Sequence, residues 1–314
     1  MSRAFVFPGQ GAQTIGMGRE LAESCPQARA VFDEVDEALG EKLSTLIWEG
    51  DQDELTLTQN AQPALMATSL AAMRALEAEG VTIEAASCVA GHSLGEYSAL
   101  AAAGALSIAD TARLLRIRGE AMQKAVPVGV GAMAALLGLD FDAAREVAKD
   151  AALAEVCQAA NDNDPGQVVV SGHKAAVERA VELAKERGAK RAMLLPVSAP
   201  FHCELMEPAA EAMAQALDGV DISHPNVPVV ANVLAENVSD PTTIRSLLVE
   251  QVTGSVRWRE SVMYMSAQGV DEVWEIGAGK ALSGMVRRIN RDMTSRTVGT
   301  PDEVMAAAEA LRNA

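Results

Sequence analysis

The chain is short of aromatic side chains, of cysteine and of positive charge, and each shortage narrows what it can be. Aromatics make up 3% of the residues against a hydrophobic content of 49%, so the apolar material is mostly alanine, leucine and valine. Small side chains let helices approach closely, and this composition favours many closely packed helices around a sizeable core. The four cysteines, Cys25, Cys88, Cys157 and Cys203, are scattered without a C-x-x-C pair. Neither a zinc site nor a disulfide framework is indicated, and reduced, mostly buried thiols are expected. Lysine and arginine number 26 against 43 acidic residues, a formal net charge of −17. That balance argues against nucleic acid or an anionic membrane as partner. No apolar run of about 18 residues occurs, and Met1-Ser2-Arg3-Ala4-Phe5-Val6-Phe7-Pro8 is too soon broken for a signal peptide. A cytoplasmic monomer is expected. At 314 residues the chain calls for two domains, or one large domain with an insertion.

What is present centres on Ser87-Cys88-Val89-Ala90-Gly91-His92-Ser93-Leu94-Gly95-Glu96-Tyr97. Small and apolar residues run into a Gly-x-Ser-x-Gly pentapeptide, and an alanine-rich helical pattern follows at once. Strand, sharp turn and helix in that order suit a nucleophile elbow, with the Ser93 hydroxyl exposed on a strained turn. Gly91 and Gly95 flank the serine where side chains would collide as strand and helix pack. The N–H of Leu94 would open the helix and point a donor at an oxyanion formed on Ser93.

The rest of the chain alternates strand and helix patterns. Ala4 to Phe7 reads as a short buried strand leading into Pro8-Gly9-Gln10-Gly11-Ala12-Gln13. The dinucleotide spacing fails there because Thr14 stands where a third glycine belongs, and no Walker lysine follows. Such a loop is either a tight turn or a close backbone approach to Ser93 with Gln10 as donor; the spacing leaves both open. Helical patterns dominate from Gln27 to Gly80, and Ser107-Ile108-Ala109-Asp110 caps a helix running to Lys124. Arg118 falls on the apolar stripe of that helix with Leu114, Leu115 and Met122. An inward arginine needs an anion, although the spacing alone favours the plainer readings, snorkelling to solvent or pairing with a core carboxylate.

Past Pro127-Val128-Gly129 the order becomes β-α-β-β-α-β. The strands are expected at Gly131 to Leu139, Val156 to Ala159, Gln167 to Ser171 and Arg191 to Leu195, with helices Asp142 to Asp150 and Lys174 to Arg187. Asn161 to Gly166 reads as a turn. This is the ferredoxin-like arrangement, here inserted in a larger domain. Pro196 to Cys203 then returns the chain to the main body. Of the four histidines, His92 neighbours the nucleophile and points away from it, His173 starts a helix, and His224 lies in a proline-rich connection. His202 follows a Pro-x-x-x-Pro loop and precedes a helix (Glu204 to Leu217), where it could project into a cleft or be merely structural. In the last third, Val227 to Val230 and Asp271 to Ile276 read as strands. Pro241 to Gln251, Trp258 to Gln268 and the segment up to Ile289 read as helices. Gly277-Ala278-Gly279-Lys280 is a strand-to-helix turn, without the spacing of a phosphate loop.

Taken together, these pieces resemble the malonyl-CoA:acyl-carrier-protein transacylase family, with the related acyltransferase domains of polyketide synthases. The matching stretches are Phe7 to Gln13, Gly91 to Ala99, Arg118 to Met122, Asn161 to Gln167, Pro196 to Cys203 and Gln251 to Trp258. They follow the family's order over almost the whole chain. The resemblance implies an α/β fold, with an α/β-hydrolase-like large domain built on a parallel sheet (1–127 and 198–314) and an inserted ferredoxin-like subdomain (128–197). It further implies that Ser93 is acylated, that His202 is its base, and that the main-chain carbonyl of Gln251 orients the imidazole in place of an acid. Gln10 and Leu94 match the oxyanion hole, and Arg118 matches the arginine that pairs with a malonyl carboxylate. Met122, Asn161, Gln167 and Phe201 fall at substrate-binding positions.

The activity so implied is malonyl transfer from malonyl-CoA to the phosphopantetheine thiol of acyl carrier protein, by a ping-pong route through a malonyl-serine ester, supplying fatty-acid elongation. No metal and no resident cofactor are implied, since coenzyme A arrives with the substrate and phosphopantetheine with the partner. The carrier is typically acidic, so a local basic patch is expected, with Lys190 and Arg191, or Arg287 and Arg288, as candidates. Two other readings compete. A serine esterase of α/β-hydrolase type predicts an acid followed by a late histidine, and only His224 lies beyond His202. A carrier-binding protein without catalysis would not need Ser93, His202 and Arg118 together.

Overall fold

The computed structural model describes residues 2–197 and 199–313, so the expected large-domain boundary at 198 lies outside the described residues, as do the two chain ends. Ten strands form two sheets. In chain order they are β1 (Arg3–Phe7), β2 (Cys88–Gly91), β3 (Gly131–Leu137), β4 (Cys157–Asp164), β5 (Gln167–His173), β6 (Arg191–Leu194), β7 (Val229–Val230), β8 (Asn237–Val238), β9 (Glu272–Ile276) and β10 (Thr294–Val298). The larger sheet runs β10-β9-β1-β2-β7-β8 and is parallel except for the β7–β8 pair.

A parallel sheet is covered on both faces, which is why β1 beyond Arg3, and the whole of β2, are apolar. Side chains alternate, so Phe5 and Phe7 enter one core with Leu65, Leu94 and Tyr97, while Ala4 and Val6 enter the other with Trp258, Val262 and Leu282. Phe5 and Phe7 are completely buried, each contributing about 1.5–3 kcal/mol relative to exposure. The pairing Phe7↔Gly91 sets the loop after β1 beside the loop after β2.

The smaller sheet is antiparallel in the order β4-β5-β3-β6, the ferredoxin-like order expected from the sequence. One face carries helices Phe141–Ala152 and Lys174–Glu186 through Leu136, Val168 and Val170. The other carries Met133, Ala160 and Val169, against which Leu195, Val197 and Phe201 pack.

Several elements differ from the sequence expectation. Asn161 to Asp164 continue β4 as far as the Pro165-Gly166 turn, rather than forming a turn themselves. The run looks solvated, but its polar groups are satisfied by the larger domain. Arg259 pairs with Asp162, Arg288 with Asp164, and His92 with Asn163, while Asn161 bridges Val256. Two bulges accommodate this docking. The helix expected from Glu204 opens as a 3-10 turn, Glu204–Met206, because Pro208 fits the first turn of a new helix, Glu207–Asp218. The strand expected at Val227 to Val230 shrinks to β7. Edge strand β10 and helix Pro301–Arg312 lie beyond the elements expected.

Candidate active site

The elbow forms where β2 meets the helix Leu94–Ala102. Ser93 sits at the helix N-cap with φ 54° and ψ −112°, a conformation disfavoured for any residue with a Cβ. A Cβ on Gly91 would lie 1.9 Å from the Gly95 carbonyl, and one on Gly95 would lie 2.2 Å from the Phe7 oxygen. Both glycines are therefore steric requirements of the turn. The N–H groups of Gly95 and Glu96 turn back onto His92 O (2.9 Å) and Ser93 O (3.0 Å), leaving Leu94 as the foremost N–H of the helix. Gly9 stands so close to the elbow that a Cβ there would meet His92 O at 2.6 Å. The loop bearing Gln10 thus makes the close approach that the sequence left open, with Gln10 Nε2 donating to Thr58 Oγ1 at 3.3 Å.

His202 closes on the serine from the loop after β6, itself at φ 57°. Its Nε2 is 2.8 Å from Ser93 Oγ, and its Nδ1 is 2.8 Å from the main-chain oxygen of Gln251. A carbonyl can only accept, so Nδ1 carries the proton and Nε2 is left to receive one from the hydroxyl. Burial, reinforced by the Arg118 cation, pushes the His202 pKa down to about 3. The imidazole is therefore neutral, the form a base needs.

Arg118 is 1% exposed, so it does not snorkel, and among the described residues it forms no ion pair with a carboxylate. Its Nη1 donates to Gln62 Oε1 (2.8 Å), and its Nη2 donates to Gln251 Oε1 (2.9 Å) and Ser93 Oγ (3.1 Å). Tyr97 lies under it, ring centroid 5.6 Å away, and Nε has no partner among the described residues. Every group touching this cation is neutral. The nearest counter-charge, Glu96, acts on it through space without a direct ion pair, and a buried guanidinium so placed beside a nucleophile has the chemistry to receive an anionic group. Met122, one turn on, is buried with its sulfur 3.6 Å from Gln62 Nε2.

Phe201 packs on the bare face of the smaller sheet, against Met133, Ala160 and Val169. Cross-strand partners share a face, so Asn161, paired with Val169, and Gln167, two residues along β5, belong to that same side. Arg191 pairs with Leu137, which pairs with Gln167, and so joins the row, while Lys190 immediately precedes it. Of the other basic candidates, Arg288 is engaged by Asp164 and Arg287 by Ser295. His92 is turned away from the nucleophile, its Nε2 2.8 Å from Asn163 Oδ1. His173 ends β5 and accepts the Val156 N–H, and His224 meets Ser239 O in an exposed connection.

Sequence reasoning missed four residues that hold this site. Asn232 Oδ1 accepts the Ser93 N–H at 2.8 Å while its Nδ2 donates to Gly91 O. Glu96 accepts from Asn232 N and Gln251 Nε2, and burial raises its pKa to about 7. Gln62 holds the guanidinium, and Asn163 ties His92 to β4. A carboxylate in the first turn of the otherwise apolar Leu94–Ala102 was a usable signal; Asn232, Gln62 and Asn163 carry none that is local.

Comparison with known proteins agrees with this geometry. The family model described as acyl transferase domain matches residues 4–302. A malonyl CoA-acyl carrier protein transacylase of Bacillus subtilis is 51% identical over 310 residues, covering 98% of this chain and 97% of that protein. The crystal structure of an acyl-carrier-protein-S-malonyltransferase from Bartonella henselae superposes with a TM-score of 0.97 at 58% identity, covering 99% of this chain and 100% of that one. A malonyl-transacylase solved in complex with a type II PKS acyl-carrier protein superposes with a TM-score of 0.96 at 41% identity, covering 99% and 100%. With matches of this extent the chain belongs to the malonyl CoA-acyl carrier protein transacylase family of acyltransferases.

Proposed function

We propose that the protein moves a malonyl group from malonyl-CoA to the phosphopantetheine thiol of an acyl carrier protein, through an ester on Ser93. The observation that carries this reading is one atom, Ser93 Oγ, set 2.8 Å from a neutral imidazole and 3.1 Å from a guanidinium whose bonded partners are all neutral. His202 takes the hydroxyl proton as Oγ attacks the thioester carbon, and the oxyanion faces the N–H groups of Gln10 and Leu94. The C–S bond breaks, and coenzyme A leaves as the thiol after receiving that proton from His202. The carrier's thiol then gives its proton to His202 and attacks the ester, and Ser93 recovers its hydrogen as malonyl-carrier departs. Arg118 holds the malonyl carboxylate throughout, with Met122 and Phe201 bounding the acyl pocket and Asn161 and Gln167 facing the incoming thiol arm.

No resident cofactor takes part in this scheme. Residues 128–197 act as the wall that narrows access, and a single chain in the cytoplasm suffices. The acidic carrier docks on a basic patch for which Arg191 and Lys190 are the stronger candidates, since Asp164 and Ser295 engage the other pair. Incubation with malonyl-CoA followed by intact-mass measurement tests the reading. A stable malonyl adduct that Ser93→Ala abolishes is expected. Turnover to free malonate without an adduct would make the protein a hydrolase, and no reaction at all would make it a binding module.

A further inference from the structure

We propose that Glu96 is a positioning residue for acyl selection: its Oε2 fixes which way round the Gln251 amide sits, and through that amide aims the Arg118 guanidinium. Glu96 is 3% exposed and forms no ion pair among the described residues. A buried carboxylate held apart from a nearby buried cation needs a reason. Its Oε2 accepts Gln251 Nε2 at 2.8 Å and Asn232 N at 3.0 Å. The same Nε2 donates to Ser93 O at 3.0 Å, so the NH2 end of the amide faces two acceptors. The opposite end, Oε1, then faces Arg118 Nη2 at 2.9 Å. Turned over, the amide would set its NH2 against the guanidinium and its oxygen against a carboxylate and a carbonyl, so that none of these three contacts could form.

The arrangement also solves a problem of recognition. A direct Glu96–Arg118 ion pair would consume the donors that a substrate carboxylate requires. The amide between them keeps the counter-charge near and the guanidinium free. Asn232, the second residue held by Glu96, carries the Ser93 N–H, so nucleophile and clamp share one anchor.

This inference rests on reading Arg118 as the malonyl clamp, and the test separates the two. The ratio of kcat/KM for malonyl-CoA over acetyl-CoA is measured for wild type, Glu96→Leu, Glu96→Asp and Glu96→Gln, with folding followed by circular dichroism. In Glu96→Leu, which removes the acceptor, the ratio is expected to fall about tenfold or more. Glu96→Asp, which withdraws the oxygen by one methylene, is expected to fall part of the way and decides the matter if the leucine variant does not fold. Glu96→Gln can still offer one oxygen to both donors and should hold the ratio within about threefold. A residue needed only for the fold would slow both substrates alike. An unchanged ratio in the leucine or aspartate variant, or a collapse in the glutamine variant, overturns the role of Glu96 alone. A wild-type enzyme that does not prefer malonyl overturns the clamp itself.

Discussion

At the scale of the residue, the site is defined by what Arg118 lacks. Three amide and hydroxyl acceptors surround it and none is charged, so its donors meet no anion directly and its nearest counter-charge, Glu96, acts only through space. Arg118→Ala is expected to lower kcat/KM for malonyl-CoA by about 10- to 150-fold, the worth of a hydrogen bond to a charged group, and to raise acetyl transfer. Steady-state comparison of the two thioesters checks this, and retained malonyl selectivity would contradict the clamp. The same cation, with burial, holds His202 near pKa 3. The sign follows directly: a base whose pKa is depressed stays deprotonated as pH falls, so its loss by protonation moves to lower pH. With malonyl-CoA, His202 is expected to cause no fall in kcat/KM from about pH 7 to pH 5, where an ordinary histidine would cut activity about 25-fold. A limb centred near pH 6.5 that persists in Glu96→Gln, which removes the neighbouring carboxyl whose pKa is raised to about 7, would sink the assignment.

At the scale of the element, the elbow depends on strand and helix touching without side chains between them. Gly95→Ala would drive a Cβ to 2.2 Å from the Phe7 oxygen. Backbone cannot yield there as a side-chain tip can, so a loss of about 1–3 kcal/mol or more in urea unfolding is expected, with inactivity in whatever folds. An alanine variant of native stability and activity would refute the packing argument. This element was legible in the sequence because every cue in it is local. The strand-turn-helix order, both glycines and the serine lie within eleven residues. What was not legible is non-local. Asn161 to Asp164 read as a turn on composition, and only the arrival of Arg259, Arg288 and His92 from distant segments turns them into strand. Edge strand β10 has polar, half-exposed positions and so no clear period. The final helix did carry a local signal, the Thr300–Glu303 capping box, and could have been read.

At the scale of the whole molecule, a net charge of −17 must coexist with the acidic carrier proposed as its partner. Docking then depends on a local field that outweighs the global one only at short range, within about a Debye length of 8–10 Å. Reversing Lys190 and Arg191, which unlike Arg288 take no part in tying the two sheets together, is expected to weaken transfer to carrier protein while sparing acylation of Ser93. Stopped-flow acylation and carrier-dependent turnover measured side by side check the split, and unchanged turnover would remove the patch. The two walls of the cleft are joined differently from the interiors of the domains. Asp162–Arg259, Asp164–Arg288 and His92–Asn163 are polar ties, alongside the main-chain bridge between Asn161 and Val256.

One of those ties brings an optical probe with it. The His92 ring lies 5.9 Å from the Trp258 ring, and His92 is bonded on its other side to β4. Trp258 is fully buried and is one of only three tryptophans. With Trp48 and Trp274 replaced by phenylalanine, its emission is expected to follow the position of the smaller sheet relative to the nucleophile, giving cleft motion a signal that needs no added label.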